Sequence, residues 1–242
     1  LSVVTDLLKR IAESSADETA ARAALVEIVA RHNALLTDLE LPLRNALEGW
    51  LARLDQLIGD TRRATRALDW QAEVFSLGEL MSSTLGARFL VTQGLDAHWL
   101  DAREHLVAQP LANQGAWSRT LSATVPAAPD AAFESVLAAR GECFITQGFI
   151  ARDADGKTVL LGRGGSDTSA GYFGAMLRAE CVEIWTDVPG VMTGDPTILR
   201  DAYPIARMSY QEALELANFG ARMFHPRTMV PLIEHKIVLR IR

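Results

Sequence analysis

The sequence has little cysteine and no long apolar run. Only Cys143 and Cys181 occur among its 242 residues, too few for a disulfide framework or a thiolate cluster, so we expect a reducing, cytoplasmic environment and no metal-ligating residues. No apolar stretch approaches the ~18 residues that cross a bilayer. The N-terminus also lacks the basic start of a signal peptide, and we therefore expect no membrane partner.

Positive charge is scarce as well. The chain carries 24 Lys and Arg against 30 Asp and Glu, a formal net charge of -6. Contacts to nucleic-acid phosphates need clustered lysine and arginine, so we expect no nucleic-acid partner. A hydrophobic fraction of 49% excludes a disordered chain and predicts a large core. The chain starts without methionine, and we expect it to begin inside a longer protein.

The hydrophobic pattern predicts an α/β fold. The first hundred residues are mostly helical in pattern, and the later part alternates strands with helices, which favours a mainly parallel central sheet in a three-layer α/β/α sandwich. An irregular connection is expected over 107–132. Helices are predicted over 19–40, 43–58, 68–87, 168–179 and 210–218, and strands over 88–94, 142–153, 157–161, 182–188 and 237–241.

Glycine is unevenly distributed, and its position indicates where a ligand binds. Ten of the 17 glycines fall between Gly141 and Gly194. Glycine is required where the backbone turns with positive φ or closely approaches a ligand. Ligands of open α/β sheets bind beyond the carboxyl ends of strands, so we expect the site in the two loops that flank the strand at 182–188.

The first of these loops, 161–170, runs from glycines directly into a predicted helix. Backbone N–H groups and the positive helix end there can face an anion, and Arg163 adds a fork suited to a carboxylate or phosphate. Asp167 could hold a metal-bound phosphate or a ligand ammonium. The alternative interpretation is a plain turn with Ser166 or Asp167 as the helix N-cap. The residues alone are compatible with both an anion-binding loop and a plain turn.

The second loop, 184–196, begins at the end of a strand. Thr186 and Asp187 stand where polar side chains reach a ligand, whereas the alternative is two consecutive turns. We expect Trp185 to belong to the core.

A third candidate lies on the helix predicted over 68–87. Glu79, Ser82 and Ser83 share one face through i, i+3 and i+4 spacing. A carboxylate among apolar neighbours needs a cationic partner or a ligand ammonium. The alternative is an exposed glutamate.

Together these segments resemble aspartate kinases, a family with the amino-acid kinase fold. The resemblance spans nearly the whole chain, and the glycine-rich and Trp-Thr-Asp-Val motifs are specific in combination. It rests on Val4 to Leu8, Gly78-Glu79 with Ser82-Ser83, Gly148-Phe149-Ile150, Leu161-Gly162-Arg163-Gly164-Gly165-Ser166-Asp167, Trp185-Thr186-Asp187-Val188, Asp195-Pro196, Phe219-Gly220-Ala221 and His225-Pro226-Arg227-Thr228.

The resemblance implies an enzyme that phosphorylates the side-chain carboxylate of L-aspartate with ATP and Mg²⁺. The product is 4-phospho-L-aspartate, at the entry to lysine, threonine and methionine synthesis. The partners it implies are L-aspartate, ATP and a second copy in a homodimer. Residues 1–140 would form the substrate-binding part of the kinase domain and 141–242 the nucleotide-binding part.

Carried over residue by residue, the resemblance also assigns the site. Thr5, Glu79 and Arg163 match substrate-binding positions, with Glu79 on the ammonium and Arg163 on the α-carboxylate. Gly164, Ser166 and Asp167 would shape the pocket where the carboxylate meets the γ-phosphate, and Asp167 and Arg163 are the expected catalytic residues. The matching nucleotide-binding positions are Thr186, Asp187, Met192, Thr197 and Arg222.

Departures from the family pattern define the alternatives. The family's N-terminal Lys-Phe-Gly-Gly segment, which cradles the transferred phosphate, is absent, so we expect this chain by itself to be inactive. Met192, Thr197 and Arg222 replace a usual aromatic residue, arginine and lysine, which predicts altered nucleotide affinity. The alternatives are another amino-acid kinase, acting on glutamate, acetylglutamate or a nucleoside monophosphate, and a non-catalytic kinase-fold module of a larger, bifunctional protein.

Overall fold

The computed structural model describes residues 2–14, 17–41, 44–186, 190–195, 197–218 and 226–242. It opens with three helices: α1 (Ser2–Glu13), α2 (Glu18–Asp38) and α3 (Arg44–Ile58). Asp17 begins α2, since its carboxylate accepts a hydrogen bond of 2.9 Å from the backbone N–H of Ala20. The α2 face holds His32, which is buried with its Nδ1 2.8 Å from the Ile28 carbonyl, as expected of a satisfied core histidine.

The helix α5 (Leu68–Thr92) follows the short α4 (Arg62–Thr65) and runs through the middle of the main core. The strand predicted over 88–94 is wrong, because α5 continues through it. Its end is a glycine cap: Gly94 has φ +85°, and the Leu95 N–H reaches back 3.0 Å to the Leu90 carbonyl. Gly94, the last residue of the predicted strand, therefore ends a helix.

The strands form three two-stranded ladders among the described residues. β1 (Ala97–Trp99) pairs in parallel with β2 (Cys143–Ile145), and β3 (Ile150–Arg152) pairs antiparallel with β4 (Thr158–Leu160). β5 (Cys181–Ile184) pairs in parallel with β6 (Val238–Ile241). The prediction of an α/β fold with mainly parallel strands is confirmed. The predicted strand over 142–153 is two strands, because the chain turns at Phe149, whose φ is +69°.

The region expected to be irregular, 107–132, contains one short helix, and two more helices flank it. α6 (Ala102–His105), α7 (Ala116–Leu121) and α8 (Ala131–Arg140) lie between β1 and β2. α8 begins at Asp130, whose carboxylate accepts hydrogen bonds from the N–H groups of Ala132 and Phe133. Its short length and mixed composition explain why periodicity did not reveal it.

The last part of the chain adds α9 (Gly165–Met176), α10 (Tyr210–Asn218) and α11 (Pro226–Glu234). α10 begins and ends as predicted, whereas α9 begins three residues before the predicted Thr168. A small second core joins α9, β5 and α11 through Ala175, Val182 and Leu232. No helix in the described part of the chain combines the length and apolar character that a membrane crossing requires.

Candidate active site

The glycine-rich loop owes its shape to two residues with positive φ. Gly162 has φ +75° and Gly164 has φ +66°, a region that L-residues with a Cβ seldom occupy. A Cβ on Gly162 would also lie 2.7 Å from the Ser122 hydroxyl. The loop therefore requires glycine for its backbone conformation and, at Gly162, for its close packing.

This loop delivers the chain into α9 with the helix N-terminus facing a cavity. Gly164 is the N-cap, and the Thr168 N–H donates to its carbonyl over 2.9 Å. The alternative of Ser166 or Asp167 as the N-cap is wrong, since both lie within the first turn. First-turn N–H groups have no partner inside a helix, so this end of α9 can receive an anion.

The cavity has a volume of about 460 Å³ and lies between α1, α5 and the glycine loop. It brings together five residues predicted for the site from three distant parts of the sequence. A Cβ on Gly78 would stand 3.0 Å from the Leu8 side chain, so α1 and α5 approach closely beside this cavity. The predicted residues that line the cavity are Thr5, Glu79, Gly164, Ser166 and Asp167.

Two carboxylates line this cavity from different helices. Glu79 is half-buried on α5, so the alternative of an exposed glutamate is wrong, and Asp167 is half-buried on α9. Burial raises the pKa of the Glu79 carboxyl and the pKa of the Asp167 carboxyl above their usual range. Within the described residues, neither carboxylate has a hydrogen bond or an ion pair. A ligand ammonium or a phosphate-bound cation would supply the missing positive charge.

The other residues predicted around Glu79 and the loop have different surroundings. Ser83 faces away from the cavity, and its hydroxyl accepts hydrogen bonds from the Trp99 indole at 3.0 Å and from Gln147 at 2.7 Å. The Ser82 hydroxyl donates to the Glu79 carbonyl. Arg163 stands exposed between the two turning glycines and is not among the residues that line the cavity. Its contact with substrate stays a prediction.

Of the predicted nucleotide-binding residues, the three that the structure describes, Thr186, Met192 and Thr197, do not line this cavity. Thr186 follows β5, and its N–H donates to the Arg242 carbonyl over 3.0 Å. Met192 is half-buried, and Thr197 is exposed with its hydroxyl 2.6 Å from the Asp195 carboxylate, whose pKa this hydrogen bond lowers. The expectation that Trp185 belongs to the core is wrong, because the residue is 77% exposed. Asp187, Arg222 and His225 lie outside the described residues.

A larger cavity, of about 710 Å³, lies on the opposite side of α5. Its polar side chains include internal pairs, such as Arg53 with Glu73 and the Trp50 indole with the Thr84 hydroxyl at 3.1 Å. The volume of a cavity therefore does not identify the ligand-binding site. The smaller cavity has the helix N-terminus and the two carboxylates, without a partner in the described part of the chain, that a charged ligand needs.

Sequence reasoning missed part of the cavity wall. Phe149 lines it with a positive φ of +69°, and its N–H donates to the Ser169 hydroxyl over 2.8 Å. The Gly148-Phe149-Ile150 segment carried the signal, since it follows a strand and belongs to the family pattern. Phe75 and Leu121 also line the cavity and had no signal beyond their hydrophobicity.

A match to a protein-family model identifies the family of this chain. The model described as the amino acid kinase family matches residues 4–242. The chain belongs to the amino acid kinase family. Among relatives of this kinase-fold chain, lysine-sensitive aspartokinase 3 of Escherichia coli is 38% identical over 172 residues, covering 68% of this chain and 36% of that protein.

Two further relatives extend this similarity within the amino acid kinase family. Bifunctional aspartokinase/homoserine dehydrogenase 1 of Arabidopsis thaliana is 32% identical, covering 100% of this chain and 27% of that protein. The crystal structure of E. coli aspartokinase III in complex with aspartate and ADP is 31% identical, with a TM-score of 0.84. That match covers 98% of this chain and 52% of the other. This chain thus spans about half or less of the length of each of these three relatives.

Proposed function

We propose that this chain carries the substrate site of an aspartate kinase, which transfers the γ-phosphoryl group of ATP to the side-chain carboxylate of L-aspartate. The observation that carries the proposal is the pair of carboxylates, Glu79 and Asp167, that have no partner among the described residues and share one cavity with the N-terminus of α9. The similarity to an aspartokinase crystallised with aspartate and ADP supports the same substrate class.

The charges of the cavity match those of aspartate. The substrate carries one ammonium and two carboxylates. Glu79 would pair with the ammonium, and the first-turn N–H groups of Ser166 and Asp167 would receive the reacting carboxylate and the incoming phosphoryl group. Arg163, at the loop apex, would reach the α-carboxylate, and the Thr5 hydroxyl would contact the substrate from α1. The protein's task is positioning and charge neutralisation.

Nucleotide and metal complete the proposed reaction. A carboxylate oxygen of aspartate forms a bond to the γ-phosphorus as the bond to the β-phosphate oxygen of ATP breaks, releasing ADP. Mg²⁺ commonly takes one or two carboxylates together with substrate phosphates. Although the sequence predicted no metal ligand, the Asp167 carboxylate in the cavity wall would hold this ion, which would neutralise phosphate charge. Thr186, Asp187, Met192, Thr197 and Arg222 would contact the nucleotide.

The test is aspartate-dependent ADP release by the full-length protein with MgATP. Hydroxylamine in the same assay traps an acyl phosphate as its hydroxamate, which shows that a carboxylate was phosphorylated. We expect both signals with aspartate and neither with glutamate or UMP. Turnover of UMP would reveal a different amino acid kinase family activity. Binding without turnover of any of these would indicate a non-catalytic module.

Two further proposals accompany the reaction. We propose that the protein forms a homodimer, which light scattering of the full-length protein would test. We also propose a cytoplasmic location, which fractionation of the native cells would test.

A further inference from the structure

Arg227, the second residue of α11, joins three segments at the edge of the glycine loop. Its Nη1 donates to the Ser122 hydroxyl at 3.0 Å and to the Leu161 carbonyl at 3.1 Å. Its Nη2 donates to the Ala123 carbonyl and to the Thr124 hydroxyl at 3.2 Å. These four acceptors are neutral oxygens, and Leu161 directly precedes Gly162.

The segment that shares this guanidinium packs on the loop itself. The Ala123 N–H donates to the Leu160 carbonyl over 2.7 Å, which fixes 122–124 beside the end of β4. Ser122 lies so near Gly162 that a Cβ there would be 2.7 Å from the Ser122 hydroxyl. Arg227 therefore holds both the strand end that begins the loop and the segment against which the loop packs.

The attachment of α11 to α9 does not depend on this arginine alone. The hydroxyls of Thr168 and Thr228 lie 3.3 Å apart in a buried contact, and Gly171 allows the Thr228 backbone close to α9. Loss of the Arg227 side chain would leave those contacts in place. Among the described residues, its effect would fall on the loop and on the segment 122–124.

We propose that Arg227 is a positioning residue for phosphoryl transfer: it sets the path of the glycine loop and so aims the first-turn N–H groups of α9 and Arg163 at the substrate. This inference rests on the proposed aspartate kinase function. A planar guanidinium can reach four acceptors on two segments at once, whereas a lysine ammonium has a single donor centre. Misplacement of a catalytic loop by about 1 Å can cost up to about 10²-fold in rate.

The experiment compares R227M, R227K and R178M in the full-length protein. R178M is the matched control, because Arg178 also donates two hydrogen bonds between elements, to Glu134 at 2.7 and 2.5 Å, away from the cavity. We expect kcat/KM for aspartate to fall about 10- to 100-fold in R227M, to stay closer to R227M than to wild type in R227K, and to remain within about twofold in R178M.

Hydrogen–deuterium exchange separates this proposal from the proposed function. Amides of 162–168 should exchange faster in R227M than in wild type or R178M, whatever the substrate is. An inactive wild type with faster loop exchange in R227M would overturn the aspartate kinase function and keep the positioning. Unchanged loop exchange, or wild-type kcat/KM in R227M at temperatures where it stays folded, would overturn the positioning role.

Discussion

Glu79 on α5 and Asp167 on α9 face one cavity, and within the described residues neither carboxylate meets a cation. Burial raises the pKa of each, because the cavity removes water from the charged form without replacing it. A folded protein keeps such an arrangement when a ligand supplies the missing charge. We therefore expect Glu79 to affect substrate binding and Asp167 to affect how the stability of the protein depends on pH.

Replacing Glu79 by glutamine should weaken aspartate binding. Glutamine keeps the shape of the side chain but cannot pair its charge with an ammonium. We expect the KM for aspartate in E79Q to rise about 10- to 100-fold, as for loss of a partly buried charge pair, while the Kd of ADP stays within about twofold. Steady-state kinetics and calorimetry measure the two constants.

The control for this change is E48Q, since Glu48 is an exposed glutamate on α3. It should leave both constants unchanged. An equal loss of ADP affinity in E79Q would contradict the assignment, because it would indicate a general distortion instead of a lost ammonium contact.

Replacing Asp167 by asparagine should stabilise the ligand-free protein while abolishing turnover. Because the folded pKa of Asp167 is raised, the native state binds its proton more tightly than the unfolded state does. The free energy of unfolding therefore falls as the pH rises from the ordinary aspartate range through the raised folded pKa. The charged form carries this cost at neutral pH, and D167N removes it.

Thermal melting of both proteins across the pH range tests the predicted fall in the free energy of unfolding. We expect D167N to melt about 1–3 °C above wild type near neutral pH, with the difference vanishing below about pH 4. D6N, which changes an exposed aspartate of α1, should show no such trend. A D167N variant that melts lower than wild type at neutral pH would mean that the carboxylate has a stabilising partner.

Replacing Gly162 by alanine should damage both stability and activity. Gly162 and Gly156 have similar positive φ values, +75° and +82°, but only at Gly162 would a Cβ meet a neighbour, the Ser122 hydroxyl at 2.7 Å. We expect G156A to lower the free energy of unfolding by about 1 kcal/mol from backbone strain alone, and G162A by about 2–4 kcal/mol.

Activity distinguishes the two glycines further. kcat for aspartate should fall at least about tenfold in G162A, because the loop shifts, and stay near wild type in G156A. Urea unfolding and the ADP-release assay measure the two effects. Equal stability losses in the two variants would show that the contact with Ser122 contributes nothing.

Sequence reasoning found the candidate site through local motifs and their resemblance to a family. It assigned Glu79, Gly164, Ser166 and Asp167, which the structure brings to one cavity, and Arg163, which does not line that cavity. It could not foresee that the Arg227 guanidinium reaches Leu161, 66 positions away. Contacts of that kind depend on how helices pack, which local patterns do not encode.

The errors have the same physical origin. Residues 88–94 contain the β-branched and aromatic residues of a strand, yet they lie at the end of a long helix whose packing overrides local preference. Trp185 follows the strand β5 but lies outside the core, and the residue is 77% exposed. Hydrophobic periodicity predicted an element correctly where the sequence shows a full helical repeat, as in α10.

Two helical glycines should respond to alanine in opposite directions. Gly171 of α9 faces α11, where a Cβ would lie 2.8 Å from the Thr228 carbonyl and 3.1 Å from Pro231, whereas a Cβ on Gly49 of α3 would meet nothing within 4 Å. Alanine favours a helix over glycine by about 0.5–1 kcal/mol. G49A should therefore raise the free energy of unfolding by that amount.

At Gly171 the same preference is outweighed by overlap with backbone, which cannot rotate away as a side chain can. We expect G171A to lower the free energy of unfolding by about 1–3 kcal/mol and to disturb the Thr168–Thr228 contact, 3.3 Å between hydroxyls. Urea unfolding of both variants measures the difference. If G171A were as stable as G49A, α9 and α11 would have to lie farther apart than the structure places them.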